Sequence, residues 1–340
     1  MSENYTPRPG GLPRMLEALA DVCREEGYDF AIVDAFSQQL VRVEHRGFQF
    51  FAGIGRIQNY PLNSATAASL ARDKAFTYQT LAAAGIAVPP YGYFFLDTTH
   101  AKLRAPGRER ADAFAYAASL GYPVFVKPLD GARGALADQA FGERDLARLL
   151  DGIALRHHAA LIQPVFSGEE WRLFLLDGVA QFAYRRAKPE LTGDGCRSIA
   201  QLLDADAQAR EGFGLDPITI ASPFVQDELR RRGLSADSVL GAGETFAYSP
   251  RGNISAGGAL LDYTETPPDT WINWARRILN ALTLRVGAVD FFAKGKTLTL
   301  LEVNHSPDLA GIIAAGHDDK ARAIWRQVLR LYFVEAEDHR

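Results

Sequence analysis

The sequence has little of what marks several large protein classes. Among its 340 residues there are two cysteines, Cys23 and Cys196, far apart and without a Cys-x-x-Cys or Cys/His ligand spacing. That excludes a disulfide framework and a structural zinc site, and it fits a reducing compartment. No stretch approaches the ~20 apolar residues that a membrane helix needs, so no membrane partner is expected. The opening segment, MSENYTPRPG, has no basic stretch followed by an apolar run, so no signal peptide is expected and the reading is cytoplasmic. The formal net charge is only -4, and the arginines are spread along the chain, which does not favour nucleic acid as a partner. Internal repeats, low-complexity tracts and long charge runs are also missing.

What remains is the composition of an ordinary globular protein, with 47% hydrophobic and 23% charged residues. The length allows one large multi-lobed unit or two to three compact ones. After a polar leader over 1–13, Leu16, Leu19, Ala20 and Cys23 recur at helical spacing. DFAIVDAF, LVRVEH and FQFFAGI read as strands. SATAASLARDKAFTYQTLAAAG reads as one long helix closed by Gly85, and VPPYGYFFL follows as an extended segment. A compact unit comes next: strand YPVFVKP, loop LDGARGALAD, helix ERDLARLLDGIAL and strand AALIQPVF. RLFLL and VAQFAYRR flank Asp177-Gly178, a pair suited to a type I′ hairpin turn. Residues 198–232 read as mostly helical, and TWINWARRILNAL as an amphipathic helix. VGAVDFF and TLTLLEVN form a hairpin across KGK, and a helix near 318–333 closes the chain. The class is α/β, with α+β parts and mixed sheets.

Three polar residues stand out on apolar strands. Glu302 and Asn304, two apart on one strand, leave the same face, and Asp290 lies on the preceding strand of the hairpin. Two carboxylates and an amide oxygen are hard ligands suited to Mg2+, although each can also be a solvated or capping group. Without metal the clustered carboxylates should repel one another. Lys127 ends an apolar strand, where its head can reach a phosphate while its stem stays packed; the head is expected to be solvated until then. Gly131 and Gly134 follow in a loop that lets backbone N–H groups approach phosphate oxygens, but no Gly-Lys-Ser/Thr follows, so this is not a Walker motif. Taken singly, Lys74, Arg172 and Arg186 read as surface cations and Glu170 as a solvated carboxylate.

Set in order, from about residue 70 to 315, these pieces resemble the ATP-grasp superfamily, and in particular the ATP-grasp regions of cyanophycin synthetase and of the bifunctional glutathione synthetase. ARDKAFTYQTLAAAGIAVP resembles the family's Asp-Lys helix, YPVFVKPLDGARGALA its strand, lysine and glycine loop, and LIQPVFSGEEWRLFLLDG its hinge and Gly-x-Glu-x-Arg segment. YRRAKPELTGDGCRSIAQLL, GNISAGGALLDYTE and VGAVDFF with LLEVNHSPDLAG continue the likeness.

The resemblance implies an ATP-grasp fold: an N-terminal α/β lobe (1–120), a small lid subdomain (121–180) and a C-terminal metal-binding lobe (181–340). It implies an ATP-dependent carboxylate–amine ligase that makes an amide through an acyl phosphate. A phosphotransferase of the same fold and a nucleotide-binding module without turnover are the alternatives. Lys74 and Lys127 would contact phosphates, and Gly131 and Gly134 would line the phosphate loop. The hinge with Gln163, Val165 and Phe166 would meet adenine, and Glu170 the ribose. Arg186 would steady the moving phosphoryl group, with Asn253 and Ser255 near the reacting atoms. Asp290, Glu302 and Asn304 would hold magnesium, two ions being expected and Mn2+ able to substitute. Partners would be small carboxylate and amine substrates, an amino acid or short peptide, and a homodimer is the oligomer to expect. Gln163 stands where many relatives have Glu, Lys188 where a proline is common, and Leu136 where a second loop glycine is frequent. The larger relatives carry further catalytic domains that these residues do not match, so neither full reaction carries over.

Overall fold

The computed structural model describes residues 11–338 except 55–56, 58–59, 100, 131–135, 213–216 and 249–258. Helix α1 (Arg14–Glu26) forms where Leu16, Leu19 and Cys23 fall on one stripe, and it buries that stripe together with Met15 and Val22. It stops at Gly27, whose φ of 77° is the left-handed cap that glycine adopts at little cost. Three strands follow as a meander, β1 (Asp29–Ile32), β2 (Leu40–His45) and β3 (Phe48–Gly53), in that spatial order. The expected first strand is shorter than its apolar run, ending at Ile32.

The alanine-rich stretch is two helices rather than one, α2 (Ala65–Arg72) and α3 (Lys74–Ala83). The break is chemical. Asp73 leaves the helical region (φ -91°, ψ 116°), and its carboxylate accepts from the N–H groups of Ala75 and Phe76 at 2.8 and 2.9 Å. A short acceptor that caps its own chain competes with helix continuation. Gly85, at φ 69°, ends α3 as expected.

The next sheet has strand order β4-β7-β5-β6, from β4 (Gly92–Phe95), β5 (Val124–Pro128), β6 (Asp138–Ala140) and β7 (Ala159–Pro164), with α4 (Arg110–Leu120) and α5 (Glu143–Ala154) interposed along the chain. Alternation divides its faces. Phe94, Val124, Val126, Ala160 and Ile162 pack with Ala113, Ala117, Leu146, Leu150 and Ile153 of the helices, leaving Phe125, Lys127, Leu161 and Gln163 on the other side.

The central sheet is antiparallel, in the order β12-β9-β8-β13-β14. Its strands are β8 (Glu169–Leu176), β9 (Val179–Ala187), β12 (Ala259–Thr264), β13 (Val286–Lys294) and β14 (Thr297–Asn304). Asp177 and Gly178, at φ 50° and 77°, make the β8–β9 turn that their dipeptide suits. Between β9 and β12, β10 (Glu190–Thr192), α6 (Ile199–Gly212), α7 (Pro223–Arg232) and β11 (Thr245–Ala247) enclose a small core of their own. Two further elements belong to the central region, α8 (Asp269–Ala281) and, after β14, α9 (Ala310–Ala314); α10 (Asp318–Asp338) is the final helix. The sheets run across the expected boundaries at 120 and 180, since β4 pairs with β7 and β8 with β13.

One face of the central sheet is largely apolar: Leu173, Leu175, Ala183, Val289, Phe291, Leu300 and Val303 pack with Ala275, Ile278 and Leu279 of α8 and with Tyr78 and Leu81 of α3. The other face changes character along the strands. Phe174, Leu176, Phe182, Tyr184, Val286 and Ala288 join the core of α1, the meander and α10, where the Trp325 indole N–H donates to Met15 O at 3.1 Å. Toward the far end the same face continues as Glu170, Arg172, Arg186, Asp290, Glu302 and Asn304. No helix among the described residues is long and apolar enough to cross a membrane.

Asp73→Ala should lose both capping bonds at the start of α3 and cost about 1 kcal/mol of stability. Urea unfolding measures this directly; an unchanged midpoint would mean that the α2–α3 break does not depend on the Asp73 carboxylate.

Candidate active site

Among the described residues the buried charged side chains are Lys74, Lys127, Arg186 and Asp290. Each came from a different segment of the sequence, and all four line one cleft of about 480 Å3 between the inner face of the β4–β7 sheet and the charged end of the central sheet. That volume is within the usual range for small-molecule sites. Burying charge is costly unless it is paired, so the pairing decides what the site can do.

Asp290 is 1% exposed. Strand register places it directly opposite Arg172 on one side and Glu302 on the other. Arg172 Nε and Nη2 donate to its two oxygens, each at 2.7 Å, the forked geometry that only guanidinium offers a carboxylate. Arg186 Nη1 stands 3.0 Å from Oδ2, and Asn304 Nδ2 donates to the same oxygen at 3.1 Å. Burial pushes the Asp290 carboxyl upward, but the two guanidinium groups outweigh it and hold the group below its ordinary range. The expected repulsion between carboxylates is therefore offset. Arg172, read as a surface cation, and Arg186 with it, prove to be the counter-ions of a buried acid. Arg186 also donates to Glu170 at 3.1 Å, and burial raises the Glu170 carboxyl despite that partner.

The two lysines reach the same place from the opposite wall. In β14, Glu302 pairs with Asp290 and Leu300 with Phe291, so Leu301 is an extra residue and a β-bulge. Its carbonyl accepts the Tyr78 hydroxyl at 2.8 Å and Lys127 Nζ at 3.1 Å. Contrary to the expectation of a solvated head, Lys127 is 7% exposed. Burial first, and the charge of Lys74 second, pull its ammonium down to about 7. Lys74, also expected at the surface, is buried; its Nζ donates to Leu129 O at 3.4 Å and lies 4.0 Å from Glu302.

Gln163, Val165 and Phe166 line the cleft together with Glu170 and Glu302. The Gln163 side chain is 2% exposed, and its Oε1 has no hydrogen-bond partner among the described residues. Gly131, Gly134, Asn253 and Ser255 lie outside the described residues. Leu136, just beyond the glycine loop, takes φ 57°, a left-handed conformation that costs a leucine ~1–2 kcal/mol and a glycine almost nothing. Among the described residues no three His, Cys, Asp or Glu side chains cluster as a metal site. Asp290, Glu302 and Asn304 do converge, since the Asn304 amide donates to both carboxylates, at 3.1 and 3.4 Å. Two carboxylates and an amide, with Glu302 one-third exposed, suit a hard divalent cation. Sequence reasoning missed Arg172 as a site residue, although alternation from Glu170 along β8 was a signal for it. It also missed Tyr78 and the bulge at Leu301, for which periodicity offers no sign.

No protein-family model matches the chain. Over 244 residues it is 29% identical to the cyanophycin synthetase of Geminocystis herdmanii, a match covering 69% of this chain and 26% of that protein. Over 203 residues it is 25% identical to the glutathione biosynthesis bifunctional protein GshAB of Streptococcus mutans, covering 55% of this chain and 27% of the relative. The solved structure of a bifunctional glutathione synthetase from Pasteurella multocida superposes with a TM-score of 0.57 and 21% identity, over 95% of this chain and 44% of that one. The chain has the ATP-grasp fold. It spans about a quarter of the length of the curated relatives it matches.

A lysine pulled from 10.5 to about 7 leaves the folded chain binding fewer protons than the unfolded chain across that window, so its contribution to stability falls as pH drops from about 10.5 to 7. Lys127→Met removes this penalty. The variant should melt higher than the wild type at pH 7, and the gap should close toward pH 10. A gap that does not vary with pH would show that Lys127 keeps its full charge in the folded protein.

Proposed function

We propose that this chain is an ATP-dependent carboxylate–amine ligase, which forms an amide through an acyl phosphate and releases ADP and phosphate. The observation that supports it most is the convergence of Lys74, Lys127, Arg186 and Asp290, buried on facing walls of one cleft, on a fold shared with a glutathione synthetase. The cyanophycin synthetase relatives agree with the reading.

In this reading the cleft takes ATP with its base against the hinge at Gln163, Val165 and Phe166 and its ribose at Glu170. Lys74 and Lys127 meet the phosphates, with the loop of Gly131 and Gly134 over them. Lys127 then exchanges the Leu301 carbonyl for a phosphate oxygen, a better partner for an ammonium group than a neutral carbonyl. A substrate carboxylate attacks the γ-phosphate. Arg186, already in the cleft wall, turns its guanidinium toward the charge that develops on the transferring group. Asn253 and Ser255 are proposed beside the reacting atoms. Asp290, Glu302 and Asn304 would hold Mg2+, with Mn2+ able to replace it and two ions as the proposed number; the metal supplies charge neutralisation of the phosphates. The acid and the amine are proposed to be an amino acid or a short peptide.

With purified protein, ATP and the right acid, hydroxylamine should trap the activated carboxylate as a hydroxamate, with stoichiometric free phosphate. A stable phosphorylated product without phosphate release would instead establish a phosphotransferase.

Glu302→Gln keeps the shape and removes one ligand charge. Turnover should fall on the order of 10²-fold, for one to two metal contacts worth ~3 kcal/mol. Because Arg172 and Arg186 already neutralise Asp290, the melting temperature without nucleotide should barely move. Near-normal turnover with a collapsed melting temperature would make Glu302 structural and remove it from the site.

A further inference from the structure

We infer that Arg172 is a positioning residue for the metal centre: its guanidinium fork turns the Asp290 carboxylate so that Oδ1 is presented to a divalent cation while Oδ2 is filled by protein donors. The inference rests on the ligase reading above and adds to it a residue that the sequence treated as a surface cation.

The two oxygens of Asp290 are unequally supplied with donors. A carboxylate oxygen offers about two lone-pair directions. Oδ2 of Asp290 accepts from Arg172 Nη2 at 2.7 Å and from Asn304 Nδ2 at 3.1 Å, so it is filled, and the Arg186 guanidinium pairs with it at 3.0 Å. Oδ1 receives Arg172 Nε, at 2.7 Å. The fork ties the carboxylate plane to the guanidinium plane, and with Asp290 1% exposed there is no room for it to turn independently.

Arg172 sits where it can hold but not touch a ligand. Strand register sets it directly between Asp290 on β13 and Tyr184 on β9, and among the described residues it does not line the cleft, whereas Arg186 does. The two arginines therefore divide the work. Arg186 shares one nitrogen, Nη1, between Asp290 and Glu170, so it can be drawn to a phosphoryl group while the Arg172 fork keeps the acid paired and in orientation. Outer partners of this kind typically govern metal affinity by 10- to 100-fold.

The test is Mn2+ binding, followed by electron paramagnetic resonance with AMP-PNP as the nucleotide. Arg172→Lys keeps the charge and loses the fork. Its Mn2+ dissociation constant should rise by about tenfold or more, while AMP-PNP affinity in EDTA changes less than about threefold. Asp290→Asn should weaken Mn2+ by a similar factor, and adding Arg172→Lys to it should weaken Mn2+ no further, because there is no ligand left to position. Arg172→Gln, which also lacks the fork, is measured in both backgrounds, so that the cycle can be read where Arg172→Lys folds poorly. Unchanged Mn2+ affinity in Arg172→Lys, or an equal loss whether or not Asp290 is present, overturns the inference. A wild type that binds no Mn2+ with AMP-PNP overturns the ligase site itself, which is a separate outcome.

Discussion

The cleft depends on one buried carboxylate. Asp290 is almost wholly enclosed, and an unpaired acid there would protonate or unfold the site. Two guanidinium groups keep it ionised, and with them the wall becomes a charge system of four cations, Lys74, Lys127, Arg172 and Arg186, against three carboxylates, Glu170, Asp290 and Glu302. Arginines do not deprotonate at neutral pH, so of the four cations Lys127 is the one drawn toward neutrality, to about 7, by its burial first and by Lys74 second. A polyanion entering such a cleft favours the charged form of that lysine.

This system can exist because the central sheet treats its two faces differently. One face is apolar over most of its length and anchors the sheet on α8 and α3. The other face is apolar for only half its length, where α1, α10 and the meander cover it, and charged for the rest. Each of β8, β9 and β13 makes the change by alternation alone: Leu176 and Phe174 give way to Arg172 and Glu170, Phe182 and Tyr184 to Arg186, Val286 and Ala288 to Asp290. The buried half fixes the register, and the register brings Arg172, Asp290 and Glu302 into line. A slip of one residue would send every one of these side chains to the apolar face.

That logic sets what was legible in the sequence. The hairpin at Asp177-Gly178, the stop at Gly85 and the shared face of Glu302 and Asn304 are local, and short-range chemistry reveals them. So is the Asp73 cap, but an alanine-rich stretch on both sides masked it with helical periodicity. Lys74, Lys127, Arg172 and Arg186 were legible as cations but not as buried ones. Their burial comes from strands and helices far apart in sequence, whereas the sequence pattern reports only immediate neighbours. The pairing of β4 with β7 is of the same kind, a contact across more than sixty residues of chain.

The bulge at Leu301 shows how far one local irregularity can reach. β14 is the edge strand of the central sheet, and at its bulge the Leu301 carbonyl joins α3, β5 and β14 at one oxygen. Both donors would otherwise be buried polar groups in need of a partner. Of the two, the tyrosine is the permanent one, because burial drives its hydroxyl further from ionisation and leaves it a donor at every accessible pH. The lysine bond is the exchangeable one, since an ammonium group near its titration point gains more from a phosphate oxygen than from a carbonyl. The same oxygen thus secures α3 to the central sheet and holds Lys127 beside the phosphate path without committing it.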